Sequence, residues 1–222
     1  MKNLSLIIPA KSESESLPSV IRELANYKFN INVILHESDV LTIESIKKFN
    51  LNIIYQKNHG YGDALIQGIK ECKTDYFCIF NADGSFNPSE IKLMLLNLER
   101  QKLDFIFGSR YQKNSGSEDD TILTLVGNFF FTKLGNIFFK LPITDILYTF
   151  VIGKTNKANN LNLMKKDFSF CVELPIKAIK NQMRMNSFSC YERKRIGGEK
   201  KVNAFKDGLM ILMQMIKLFF IK

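Results

Sequence analysis

Short apolar runs recur through the first half of the chain, at Leu4 to Ile8, Ile31 to Leu35, Leu51 to Tyr55, Tyr76 to Phe80 and Phe105 to Phe107. Each is too short for a core helix and gives way to polar residues, which predicts buried strands. Between them, apolar residues at helical spacing predict helices over Leu17 to Tyr27, Ile43 to Phe49, Gly62 to Cys72 and Pro88 to Gln101. Strand-helix alternation of this kind predicts an α/β fold with a mainly parallel sheet and helices on both faces. Ligands of such sheets bind beyond the carboxyl ends of the strands, so the polar residues just after each apolar run are the first candidates for chemistry.

The second half is less regular. Gln112 to Asp120 contains no apolar residue and predicts a mobile loop; Thr121 to Phe139, rich in Phe and Leu and interrupted by Gly127 and Gly135, predicts one or two helices on the sheet edge. Leu209 to Ile221 is almost wholly apolar, broken by Gln214 and Lys217. It falls short of the roughly 20 residues needed to span a bilayer. Two readings stay open for it: a helix lying on a membrane surface, flanked by Lys206, Lys217 and Lys222, or a terminal helix buried in the domain or in a partner. No repeat or linker divides the chain, which predicts one domain over 1–204 and an appended helix over 205–222, with the oligomeric state undetermined.

Composition narrows the partners. The 222 residues carry 31 Lys and Arg against 22 Asp and Glu, a formal charge of +9, which favours phosphate esters, nucleic acid or acidic lipid. Cys72, Cys78, Cys171 and Cys190 form no Cys-x-x-Cys pair and have no histidine nearby, so neither zinc nor a disulfide framework is expected, and a reducing cytoplasm fits. Pro9, Lys11 and Glu13 end the first apolar run too early for a signal peptide.

Four stretches carry candidate chemistry. The strand from Tyr76 ends abruptly in Asn81-Ala82-Asp83, and a carboxylate where a buried strand emerges can hold Mg or Mn bridging a diphosphate. Asp83-Gly84 could equally form a turn, with Asn87-Pro88 starting the next helix. Gly60 and Gly62 would let the backbone approach a ligand and open a helix whose free amides face an anion. Arg110 follows another strand, and its planar fork suits phosphate. Glu192 to Lys201 holds five basic residues and two acids around Gly197-Gly198, a composition suited to a loop that closes on phosphates. It lacks the interleaved aromatics of a nucleic-acid patch, so nucleic acid is not expected.

Asn81-Ala82-Asp83-Gly84 and its following Pro-initiated helix resemble the Asp-x-Asp region of family 2 glycosyltransferases, enzymes of the GT-A fold. Here the first acid is Asn81, which leaves Asp83 as the main metal ligand. The likeness extends along most of the chain. Leu4 to Leu17 resembles the family's opening strand and loop, placing Pro9, Ala10 and Glu13 beside base and ribose; His36-Glu37 stands where the family has an acidic pair, with Glu37 as an acceptor for the nucleoside. Asn58 to Gly68 resembles Asn-x-Gly-x-Gly-x-Ala-x-x-x-Gly, and Gly108-Ser109-Arg110 resembles a Gly-Ser-Arg whose arginine lies near the donor phosphates.

Leu141 to Phe150, through Thr144, Asp145 and Phe150, is similar to a segment of polyprenyl-phosphate sugar transferases of the dolichyl-phosphate mannose synthase type. So are Phe168 to Leu174 and the later Arg195, Gly198 and Lys201. Asp145 would then be a sugar ligand or base. The resemblance implies inverting transfer from a nucleotide-sugar donor to a polyprenyl-phosphate or glycan acceptor, with Mg or Mn, in cell-envelope glycan synthesis on the cytoplasmic side. Its implied catalytic residues are Asp83, Asp145 and Arg110. The implied donor-binding residues are Pro9, Ala10, Glu13, Glu37, Gly62, Asn81, Ala82, Asp83, Arg110, Arg195 and Lys201. Two rivals stay open: a catalytically degenerate member that binds sugar nucleotide or scaffolds glycan assembly, and a nucleotidyltransferase on a similar sheet, which lacks here its Gly-rich loop after the first strand.

Overall fold

A computed structural model describes residues 3–197 and 204–221. The five expected strands form as β1 (Leu4–Pro9), β2 (Asn30–Leu35), β3 (Asn52–Tyr55), β4 (Tyr76–Ile79) and β5 (Phe105–Ser109), and two further strands, β7 (Val151–Lys154) and β8 (Met185–Ser189), join them. In the seven-stranded sheet the order is β3-β2-β1-β4-β7-β5-β8. Only β7 runs antiparallel to its neighbours: Ile79 pairs with Val151 on one side and Phe107 with the same Val151 on the other. The carboxyl ends of β1, β2, β4 and β5 therefore share one edge.

Successive side chains of a strand point to opposite faces, so the apolar runs supply two cores. Ile7, Ile34, Ile79 and Phe107 face one side, covered by α3 (Tyr61–Glu71), α6 (Thr155–Asn159) and α7 (Phe170–Lys180). Leu6, Ile8, Val33, Leu35, Cys78 and Ile106 face the other, covered by α1 (Leu17–Ala25), α2 (Val40–Ile46) and α4 (Pro88–Arg100). Helix starts follow local chemistry: Asn87 accepts the Ser89 N–H at 3.1 Å ahead of Pro88, and Asp39 accepts from Thr42 at the start of α2. Asp104, which takes the Lys154 ammonium at 2.9 Å and the Arg184 N–H at 2.9 Å, clips together the ends of β5, β7 and β8.

One expectation needs correction and another is made definite. The polar stretch Gln112 to Asp120 contains β6 (Gly116–Ser117), which pairs with β9 (Tyr191–Glu192) in a second, two-stranded sheet; it is held, because Glu192 also accepts from Ser117 Oγ. Thr121 to Phe139 is a single helix, α5 (Ile122–Phe139), started by a capping box between Thr121 and Thr124. Gly135 does not break it; a Cβ there would meet Leu141 Cδ1 at 2.9 Å, so the glycine permits close packing. The last helix, α8 (Ala204–Phe220), buries Ile211, Met215 and Leu218 against the same core, with Phe219 edge-on to Phe138 and Phe139 at 5.8 and 6.1 Å. Lys180 donates to the Leu218 and Ile221 carbonyls at its end.

Candidate active site

The chain leaves β4 through Phe80, buried against Phe86 and Phe150, and turns at Asp83. One Asp83 oxygen accepts the Ser85 N–H at 3.0 Å, and Gly84 takes φ +83°, a left-handed conformation that favours glycine. The other oxygen lies 3.7 Å from Arg195. Asp83-Gly84 thus forms the turn that its sequence suggested, with the Asp83 carboxylate beside Arg195.

Residues 193–196 lie across this turn. Arg193 N–H donates to the Ser85 carbonyl and Ile196 N–H to the Asp83 carbonyl, each at 2.8 Å, and a Cβ on Gly84 would come within 2.5 Å of Ile196 Cδ1. Arg195 also forks onto Asp119 at 2.7 and 3.1 Å. That pairing above all, with Asp83, Asp119 and Glu13 adding negative charge, raises the guanidinium pKa. Arg193 is fixed separately, by a bidentate pair with Glu23 and a bond to the Phe86 carbonyl. Gly198 and Lys201, expected in this loop, lie outside the described residues.

The ends of β1 and β2 complete the edge. Pro9 is half-buried, and Ala10 is buried, its N–H bonded to the Ile34 carbonyl at 2.8 Å. Glu13 is buried and accepts from Ser16 Oγ at 2.6 Å, which gives it the helix-start role as well as a place in the field of Arg195. Glu37 is exposed after β2. Its neighbour His36 stacks on His59 with ring centroids 4.1 Å apart. Asn81 is half-buried and Ala82 buried between β4 and the Asp83 turn.

Three expected ligand residues are engaged differently. Arg110 forks onto Asp145 at 2.8 and 3.1 Å, reaches Glu192 at 3.1 Å and Asp120 at 3.3 Å, and lies 4.6 Å over the Tyr148 ring. Burial opposes its charge, but Asp145 and Glu192 outweigh that and hold its pKa well above the ordinary value. Burial likewise raises the Glu192 carboxyl, against the opposing pull of Arg110 and Ser117. Asp145 is 0% exposed and also takes Asn128 at 2.5 Å. Arg110 and Asp145 thus belong to one buried ion cluster that ties the end of β5 to β9 and to the start of α5.

Gly62 is the third. A Cβ there would lie 2.1 Å from the Lys165 carbonyl and 2.7 Å from that of Asp167, and one on Gly60 would lie 2.1 Å from the Lys166 carbonyl. These glycines admit the chain's own segment 165–167, which also caps α3 by accepting the Asp63 N–H, and no donor is needed to explain them. Glu173, buried in α7, holds that segment through the N–H groups of Met164 and Lys165 and pairs with Lys177 at 2.8 Å. Gly62→Ala is therefore expected to lower stability by about 1–3 kcal/mol, seen as a fall in melting temperature. A Gly62→Ala chain of unchanged melting temperature with weakened nucleotide binding would restore the ligand-facing role.

Asp119, Glu192 and Ile196 contribute to this arrangement without having been singled out as site residues. The basic composition of the stretch 192–201 was a signal for Arg195, whereas the acids that hold it are distant in sequence.

Comparison with known proteins gives this geometry a context. The model of the family described as glycosyl transferase family 2 matches residues 5–161. The chain is 24% identical over 225 residues, covering 91% of itself and 82% of the relative, to the UDP-N-acetylglucosamine–dolichyl-phosphate N-acetylglucosaminyltransferase of Methanococcus voltae. It is 29% identical over 125 residues to the dolichol-phosphate mannosyltransferase of Pyrococcus furiosus, covering 52% of this chain and 35% of that one. Among solved structures, glucosyl-3-phosphoglycerate synthase from Mycobacterium tuberculosis in complex with UDP superposes with a TM-score of 0.77 at 11% identity, covering 100% of this chain and 81% of that one. The same synthase with Mn2+, UDP and phosphoglyceric acid gives 0.71, at 11% identity over 100% of this chain and 80% of that one. The mostly parallel sheet is thus that of the GT-A glycosyltransferases.

Proposed function

Because the chain belongs to glycosyl transferase family 2, we propose that it transfers a sugar, with inversion, from a nucleotide-sugar donor to a polyprenyl-phosphate acceptor in the assembly of cell-surface glycans. The observation that carries this reading is the meeting of Asp83 and Arg195, 3.7 Å apart, at the carboxyl end of β4. One side chain suits a cation, the other a phosphate. The dolichyl phosphate in the Methanococcus relative's name supports the acceptor, and the UDP and Mn2+ of the mycobacterial complex support the donor and cation.

Among the described residues no group of three or more His, Cys, Asp or Glu is arranged to hold a metal, and Asn81 offers an amide where a second acid would stand. Such a set does not suit a cation held by protein alone. It fits Mg or Mn held by Asp83 together with the donor's diphosphate, since Mg is commonly bound through one or two carboxylates plus substrate phosphates. When bound, that cation would offset charge on the departing nucleoside diphosphate.

The chain's own residues then have separable tasks. Pro9, Ala10, Glu13 and Glu37 border the nucleoside, and Asn81 and Ala82 form the floor under the diphosphate. Arg195 exchanges Asp83 for the donor phosphates, with Asp119 holding its guanidinium in reach, and Lys201 adds a second positive charge. Arg110 and Asp145 act as positioning residues. A lipid phosphate is already anionic and attacks without a strong base, which agrees with the enclosure of Asp145 and makes catalysis a matter of positioning and electrostatics. The reaction takes place on the cytoplasmic side, with α8 at the membrane surface.

Thermal denaturation with a series of nucleotide-sugars and Mn or Mg tests the reading. One donor is expected to stabilise the chain in the presence of cation, by about 2.7 kcal/mol at a hundredfold excess over its Kd. Melting temperatures that no donor raises would defeat it.

A further inference from the structure

Helix α5 is inverted in polarity. Its inward side carries Asn128, Thr132 and Asn136, which bond to Asp145 and to the backbone of Leu147, Ile146, Leu141 and Ile143. Its outward side is apolar. Helix α8 is apolar on both sides: it buries Ile211, Met215 and Leu218 and leaves Phe205, Met213 and Phe220 outside. Ile122, Ile137, Phe205 and Phe220 are each between 68% and 85% exposed. Of the 23 exposed large apolar side chains among the described residues, 15 lie on these two helices or at Ile221, eight within Ile122 to Phe138 and seven within Phe205 to Ile221. The helices touch along their length, Phe131 lying near Gly208 and Phe138 against Phe219, so the two apolar sides make one surface. A groove of about 230 Å³, lined by Phe138, Phe139, Ile179, Lys180 and Phe219, opens on it. An apolar surface of this extent marks an interaction site.

From this surface we infer that α5 and α8 together dock the protein on an anionic membrane surface. By length and composition α5 could cross a bilayer, but the polar bonds of its inner side tie it to residues 141–147, so it lies along the surface rather than through it. Charge selects the occupant. The two helices carry Lys133, Lys206 and Lys217 against one acid, Asp207, on a chain of net charge +9. A second copy seated on the same face would bring together two surfaces of net positive charge, whereas anionic lipid headgroups attract each lysine.

Docking also orients the chemistry. Asn128 of α5 holds Asp145, and Asp120, just before α5, holds Arg110. The outer face of α5 is thus about one helix diameter, roughly 10 Å, from the cluster that frames the site, within reach of a lipid phosphate from the bilayer. This part of the inference rests on the lipid-acceptor reading and extends its membrane contact from one helix to two.

Flotation of the full chain with vesicles tests it. The chain is expected to float with vesicles containing an anionic phospholipid and to bind purely zwitterionic vesicles more weakly. The double variant Ile137→Ser/Met213→Ser is expected to keep its melting temperature, both side chains being exposed, and to lose about tenfold or more in vesicle affinity. A wild-type chain that stays with the unbound fraction, or a double variant that binds as well as the wild type, would overturn the inference. So would a lipid-free dimer abolished by the same two substitutions. Flotation needs no turnover: a chain that floats yet transfers no sugar defeats only the transferase reading, and one that glycosylates a short-chain acceptor without floating defeats only the docking.

Discussion

Asp83→Asn is expected to lower kcat/KM for sugar transfer roughly a hundred- to a thousandfold while leaving the fold intact. Asparagine keeps an oxygen that can accept the Ser85 N–H, so the turn at Gly84 survives, and Arg195 keeps its fork on Asp119. What disappears is the negative charge beside Arg195. With Asn81 already an amide, no second carboxylate in the segment can take over. Steady-state kinetics with Mn and the preferred donor, alongside a melting curve, checks both halves. An Asp83→Asn enzyme of wild-type activity would remove this carboxylate from the mechanism.

Arg110→Ala is expected to do the opposite, acting first on stability. Its guanidinium is the shared partner of Asp145, Glu192 and Asp120, all nearly or fully buried. Removing one member of a buried ion cluster leaves uncompensated charge and costs about 3–5 kcal/mol. For a domain of this size that lowers the melting temperature by on the order of 10 °C. Adding Asp145→Asn should cost less than the separate effects summed, because the two residues share one interaction. Had Arg110 been a phosphate ligand, as the Gly-Ser-Arg resemblance implies, Arg110→Ala would instead raise the KM for the donor at unchanged stability. Thermal denaturation and donor titration of the same variant separate these outcomes.

The contrast between these residues marks what sequence can convey. The turn at Asp83 was legible because it is local: an apolar strand, a turn and a Pro-initiated helix stand within about a dozen residues of one another. Sheet and helix positions were legible for the same reason, since β1 to β5 and α1 to α4 each carry their own periodicity. The surroundings of Gly62 and Arg110 were not legible because their partners are remote. The carbonyls that crowd Gly62 come from Lys165 and Asp167, and the acids around Arg110 from Asp120, Asp145 and Glu192. A glycine reserved for the chain and one reserved for a ligand look alike in sequence.

Strand β7 escaped for a related reason. Val151 to Lys154 is four residues long and continuous with the segment that resembled a sugar-binding motif, and nothing in it encodes antiparallel insertion between β4 and β5. The two-residue strands β6 and β9 have no pattern to read. In α5 the apolar content was plain, but its direction was not. Only the bonds of Asn128, Thr132 and Asn136 reveal that the polar residues face the protein.

The most direct measurement is transfer itself: the wild-type chain incubated with polyprenyl phosphate, Mn or Mg, and a panel of nucleotide-sugars labelled in the sugar. For one donor, label is expected to pass into the lipid fraction with matching release of nucleoside diphosphate, and chelation of the cation is expected to stop it. A chain that binds a nucleotide-sugar tightly yet moves no label to any lipid or glycan acceptor would contradict catalysis at Asp83 and leave a sugar-nucleotide-binding scaffold in its place.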